Sequence, residues 1–188
     1  MPPMLGSLAP VKRLLAGALL LAFAASAHAY PESRGLRDLG PAPEITGIRG
    51  WINSKPTSLE AQRGKVVLVK FWTFECINCR HTLAATQAWY DRYHARGFEI
   101  LSIHTPELEV ERVPANVRAA IRRERITYPV ALDPDEATWQ AYDNHYWPAA
   151  YLVDARGHIR FVHFGEGAYD EMDRAIATLL AEKTTTSR

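Results

Sequence analysis

Apolar residues run unbroken from Val66 to Val69 and resume at Phe71-Trp72, which leaves Lys70 as the one misfit in "VVLVKFW". A β-branched and aromatic run without alternation is the pattern of a strand covered on both faces. From Cys76 to Arg96 the period lengthens to that of a helix, with Leu83, Tyr90 and Tyr93 on one stripe and Trp89 beside it. Gly97 follows as a stop signal. "FEILSIH" (98–104) reads as a second strand, "VPANVRAAIRRE" (113–124) as a helix and "YPVAL" (128–132) as a short strand. In that helix Val113, Val117, Ala120 and Ile121 share the inner face. Residues 135–142 predict one or two helical turns. "AAYLVD" and "HIRFVHF" are strands joined by Ala155-Arg156-Gly157, a hairpin-like connection. Met172, Ile176, Leu179 and Leu180 give a closing helix its apolar face, and "EKTTTSR" reads as a frayed tail. Ahead of the first strand, "GWINSKPTSLEAQRGK" reads as a short hairpin or turn region.

The alternation of strand and helix demands right-handed parallel crossovers, and the late hairpin adds an antiparallel edge. The expected fold is α/β, a mixed central sheet flanked by helices on both faces.

Composition adds a boundary at the N-terminus. Lys12 and Arg13 precede an apolar stretch from Leu14 to Ala25, and Ala27-His28-Ala29 forms a small-residue cleavage box. That order is a secretory signal peptide with release expected after Ala29. The apolar stretch is short against the roughly 20 residues of a spanning helix, although an uncleaved anchor stays open as the alternative. The expected organisation is a leader over 1–29, a Pro- and Gly-rich linker or arm over 30–43, one domain over 44–183 and a tail over 184–188. The 188 residues carry a formal net charge of +1, and removing the leader takes away two basic residues and no acidic one. Near-neutral charge excludes nucleic acid or an anionic surface as the obvious partner. Exported proteins live where disulfides persist, yet with 2 cysteines the chain is no disulfide scaffold.

Both cysteines fall in "FWTFECINCRH", as Cys76 and Cys79. Placed where a buried strand gives way to a helix, Cys76 meets unpaired amides and a helix dipole that favour a thiolate. Cys79, one turn on, can attack a mixed disulfide formed at Cys76, which gives a nucleophile and a resolver. A structural staple over so short a loop removes roughly 2 kcal/mol of chain entropy, against about 3 for a 15-residue loop. A zinc site wants four ligands, and no second C-x-x-C or H-x-H pair is present, so no metal is expected. His81, His104, His145 and His163 leave a copper-binding chaperone as the rival class. A peroxidase reading rests on Thr73 three residues before Cys76, but Val69 stands where the fuller peroxiredoxin pattern has proline.

These features in order, "GWINS", "KVVLVKFWTFECINC", "HTPE", "ITYPVALD", "YWPAAYLVD" and "HFGEG", resemble exported thioredoxin-like proteins of the TlpA/ResA type. In particular they are similar to the C-terminal thioredoxin-like domain of the DipZ family, over about residues 42–180. The resemblance implies a thioredoxin-like fold, Cys76 as attacking and Cys79 as resolving cysteine. It also implies that Trp147-Pro148 is a cis-proline dipeptide whose backbone receives an extended substrate segment. Two positions depart from the family pattern. Lys70 stands where a buried acid often helps deprotonate the resolving cysteine, a task open to lysine only as a desolvated neutral amine. Glu75, directly before Cys76, replaces an aromatic or small polar residue. Lys70 and Glu75 are therefore expected to tune the cysteines with opposing charges, as an ion pair.

Together these readings give a periplasmic, or otherwise extracytoplasmic, thiol–disulfide oxidoreductase without a cofactor. The resemblance implies disulfide-containing protein substrates, reduction as the direction, and a DsbD/CcdA-like membrane protein as electron donor.

Overall fold

The computed structural model describes residues 36–186. The expected leader, residues 30–35 of the expected linker or arm, and the last two residues lie outside the described residues. Six strands form one mixed sheet: β1 (Gly50–Ile52), β2 (Val66–Trp72), β3 (Phe98–His104), β4 (Val130–Leu132), β5 (Ala149–Val153) and β6 (Ile159–Phe164). Their spatial order is β1-β4-β3-β2-β5-β6. The pairs β2·β3 and β3·β4 are parallel, while β1·β4, β2·β5 and β5·β6 are antiparallel. Every residue of β2 and β3 is buried, the polar Lys70, Glu99, Ser102 and His104 included.

The helices are α1 (Ile77–His81), α2 (Leu83–Tyr93), α3 (Pro114–Arg123), α4 (Ala137–Ala141) and α5 (Tyr169–Thr186). One face of β2, with Val66, Leu68 and Trp72, packs with side chains of α2, α3 and α5. The opposite face, with Val67, Val69 and Phe71, packs with Trp139 of α4 and with Ile45 and Leu59. Pleating puts alternate residues on opposite faces, so Lys70 falls on the α2 side. Among the described residues no helix is long and apolar enough to cross a membrane.

Three sequence expectations are corrected. Gly50–Ile52 is no hairpin but an edge strand on β4, a pairing that a three-residue segment does not announce locally. The single helix expected over 76–96 is broken at Thr82 into α1 and α2, followed by a 3-10 turn ending at Gly97, whose φ of 90° suits glycine. The closing helix continues through Thr186, beyond the point where the expected tail begins.

Residues 39–42 lie beside the Ile159 end of β6 and the turn before it. Leu39 N–H donates to Ile159 O, Ile159 N–H to Gly40 O and Ala42 N–H to Gly157 O, each at 2.9 Å. Arg160 fastens the start of this segment through Leu36 O (2.6 Å) and Arg37 O (3.2 Å), while also pairing with Asp154 and Glu182.

Candidate active site

Strand β2 delivers the chain to a turn, Thr73-Phe74-Glu75, and Cys76 takes the position just before α1 with extended backbone (φ −68°, ψ 113°). Because α1 is a single short helix, the feature aimed at the Cys76 sulfur is one amide, Cys79 N–H, which donates to Sγ at 3.2 Å. Cys76 is half-buried and Cys79 fully buried, both as free thiols. The pair is therefore arranged front and back: one sulfur meets solvent and the other waits behind it. Burial and the contact with Cys76 push the Cys79 thiol well up from its ordinary range, whereas Thr73 N–H, bonded to the Cys79 sulfur, pulls the other way. The Cys79 sulfur consequently keeps its proton more firmly than an exposed thiol does.

Lys70 reaches this pair from below. It is only 3% exposed, and burial lowers its pKa to about 7, against an opposing pull from charge on Cys79 and Cys76. Nζ donates to Thr82 Oγ1 at 2.8 Å and to Thr86 Oγ1 at 2.7 Å. Each of these hydroxyls gives its only hydrogen to a backbone carbonyl, Thr82 to Cys79 O and Thr86 to Thr82 O. They can only accept from lysine. A neutral Lys70 thus uses both of its hydrogens on threonine and keeps a lone pair free. The same back-bonds to carbonyls three and four residues earlier accompany the break at Thr82. A cavity of about 30 Å³, room for one water, lies between Lys70, Thr82, Thr86, Pro148, His163 and Met172.

The expected Lys70–Glu75 ion pair is not formed. Lys70 points inward from β2 and ends on the two threonines, while Glu75 lies past the strand end with its side chain exposed. Glu75 N–H instead donates to Glu111 Oε1 at 2.9 Å.

The Trp147–Pro148 peptide is cis. Trp147 Nε1–H donates to Thr105 O at 3.0 Å, and its ring stacks on Trp139 with centroids 4.0 Å apart. Gly165 N–H occupies Pro148 O at 2.8 Å. Among the described residues the main chain of Trp147 makes no hydrogen bond.

The four histidines weighed as copper ligands do not converge. His104 is buried against Phe74, and burial lowers its pKa to about 4, so it is neutral at ordinary pH. His81 pairs with Glu166 and His145 with Asp143, while His163 bonds to Glu166 O. Among the described residues no group of three or more His, Cys, Asp or Glu side chains could hold a metal ion. The hydroxyl of Thr73, on which the peroxidase reading leaned, is bonded to Glu111. Sequence reasoning missed Thr82, Thr86 and Glu111. The first two carried a signal, an i, i+4 threonine pair following a lysine in a buried strand, but Glu111 is one acid among several in "PELEVER".

The family model described as the AhpC/TSA family matches residues 40–162. Protein DipZ of Mycobacterium bovis is 44% identical over 148 residues, covering 77% of this chain and 21% of DipZ, so the chain spans about a fifth of that relative's length. Thiol-disulfide oxidoreductase YkuV of Bacillus subtilis is 28% identical over 142 residues, covering 76% of this chain and 95% of YkuV. The crystal structure of thioredoxin-like superfamily protein SPOA0173 superposes with a TM-score of 0.70 at 29% identity, covering 75% of this chain and 96% of that one. The mixed sheet with helices on both faces is the thioredoxin-like fold of that structural neighbour, and the Cys76–Cys79 pair sits on it in a chain similar to known thiol–disulfide oxidoreductases. By a family match that takes in most of its length, the protein belongs to the AhpC/TSA family.

Proposed function

We propose that this chain is an extracytoplasmic thiol–disulfide oxidoreductase that reduces disulfides in proteins. The observation that carries the reading is the front-and-back arrangement of one reachable sulfur, Cys76, and one enclosed sulfur, Cys79, on the same helical turn. The Cys76 thiolate attacks a substrate disulfide, one substrate sulfur leaves as a thiolate, and a mixed disulfide remains. The unpaired main chain of Trp147, next to Pro148, receives the flanking substrate segment as an added strand. Lys70, as an amine, accepts the Cys79 proton. The new Cys79 thiolate attacks Cys76 Sγ, closes the Cys76–Cys79 disulfide and expels the second substrate thiolate, which is protonated from solvent. Two electrons from a membrane donor of the DsbD/CcdA kind then restore the dithiol. The negative charge of Glu75, solvated beside Cys76, biases which substrate disulfides approach.

Cys79→Ser is expected to accumulate a covalent complex between Cys76 and a disulfide-bearing protein, visible by mass spectrometry, while Cys76→Ser traps nothing. Equilibration of the wild-type dithiol in glutathione buffers is expected to give a potential nearer thioredoxin's, about −270 mV, than DsbA's, about −120 mV. A potential near the second value would reverse the assigned direction.

A further inference from the structure

We propose that Glu111 is a positioning residue for disulfide exchange, one whose carboxylate fixes the turn before Cys76 and so sets where both sulfurs sit. The inference rests on the thiol–disulfide reading above. Glu111 is 1% exposed. Its carboxylate collects four donors: Glu75 N–H on Oε1 at 2.9 Å, Glu107 and Leu108 N–H on Oε2 at 2.8 Å each, and the Thr73 hydroxyl. Arg112, its neighbour in sequence, turns to Glu109 and Glu136. A buried carboxylate held by hydrogen bonds alone is expensive to keep unless every acceptor site is used.

Two of the four donors need no functional account, because Glu107 and Leu108 belong to the same turn as Glu111 and are capped by it. The other two come from a segment 36 residues or more earlier in the chain. They are the residues that lead into the cysteines. Glu75 directly precedes Cys76. Thr73 places its own N–H on the Cys79 sulfur and its hydroxyl on Glu111. A carboxylate only accepts, so the Thr73 hydroxyl hydrogen is committed to it. His104 Nε2 lies 3.4 Å from the same Thr73 Oγ1. One side chain therefore ties the loop after β3 to the main chain that carries a donor to Cys79 and delivers Cys76 to its helix.

Glu111→Gln separates the two halves of this arrangement. Its amide oxygen is claimed by the two N–H groups of Glu107 and Leu108, which leaves its NH₂ facing the Glu75 N–H, donor against donor. The local cap survives and the link to the active-site turn is cut. The measurements are thermal unfolding, the pH profile of Cys76 alkylation by iodoacetamide, the reduction potential, and the single-turnover rate at which Cys79 resolves a mixed disulfide. With folding retained, resolution is expected to slow about tenfold to a hundredfold, the scale set by small misplacements of reacting groups. The alkylation profile and potential are expected to shift, whereas Glu109→Gln, 93% exposed on the same segment, changes none of these. Wild-type values in folded Glu111→Gln would overturn the inference and leave Glu111 a loop cap. Should that variant fail to fold, Thr73→Val cuts the hydroxyl link from the other side, and an unchanged resolution rate there overturns it equally. A wild-type protein that exchanged with no protein disulfide would sink the functional reading instead. Alkylation and potential, which need no protein substrate, would still judge Glu111.

Discussion

Two buried ionisable side chains flank the cysteine pair, and they are held in opposite ways. Lys70 meets two hydroxyl oxygens, with charge on the cysteines as its remaining electrostatic support, and burial brings its pKa down to about 7. Glu111 meets four donors, and these outweigh the upward push of burial, so its carboxyl titrates below the ordinary carboxylate range. Both are nearly inaccessible to solvent, although Lys70 is the more completely enclosed. Beyond that difference, the hydrogen-bonding polarity of the surroundings lets one side chain shed its charge and obliges the other to keep it. The first is thereby suited to move a proton, the second to hold a backbone still.

The contrast breaks most readily at Glu111. Glu111→Ala leaves its donors without their acceptor, and a loss of about 1 to 3 kcal/mol is expected from unsatisfied buried groups; urea unfolding at neutral pH reads it directly. Lys70→Met at the same pH should cost far less, since the two threonine hydroxyls keep their bonds to backbone carbonyls. A comparable loss in both variants would mean that polarity is not what distinguishes the sites.

Next in size is the behaviour of Lys70→Met against pH. A lysine whose folded pKa lies below its unfolded value makes folding release a proton between the two. Wild-type stability relative to Lys70→Met should therefore rise with pH from about 7 towards 9, by about 1.4 kcal/mol per unit. It should be flat below pH 7, where both states are protonated. Taking the difference between variants removes the opposing contribution of the buried tyrosines, whose raised pKa values weaken the fold at higher pH. In single turnover, the same substitution should slow Cys79 resolution about a hundredfold, a typical loss for a general base. The smallest effect is expected at Glu75. Being exposed, Glu75→Gln should change stability by no more than about 0.5 kcal/mol, and its influence should show only in salt-dependent rates with charged substrates.

How far these sites were legible in the sequence follows from the range of the interactions involved. The apolar runs of β2 and β3 and the placement of Cys76 at a strand end are local patterns, and they were readable. Lys70 stood out because a charge in a doubly covered strand conflicts with its neighbours. Its partners did not, because Thr82 and Thr86 look like ordinary helical positions until β2 is laid beneath them. The expectation of a Lys70–Glu75 pair failed because Lys70 turns inward to Thr82 and Thr86, whereas Glu75 lies in the turn past the strand end with its side chain exposed. Glu111 was invisible for a different reason. Nothing in "PELEVER" distinguishes the acid that turns inward from those that face water, since the distinction is made by a turn far away in the chain. Strand β1 shares that fate, being too short to declare its pairing with β4.

The segment 39–42, laid along β6, has a consequence for traffic at the sheet. An outer strand with bare amides invites any extended peptide to add itself, and at the Ile159 end of β6 that berth is already taken by the protein's own chain. The opposite margin offers only the three residues of β1. The fold thus narrows the places along the sheet where an extended peptide could settle.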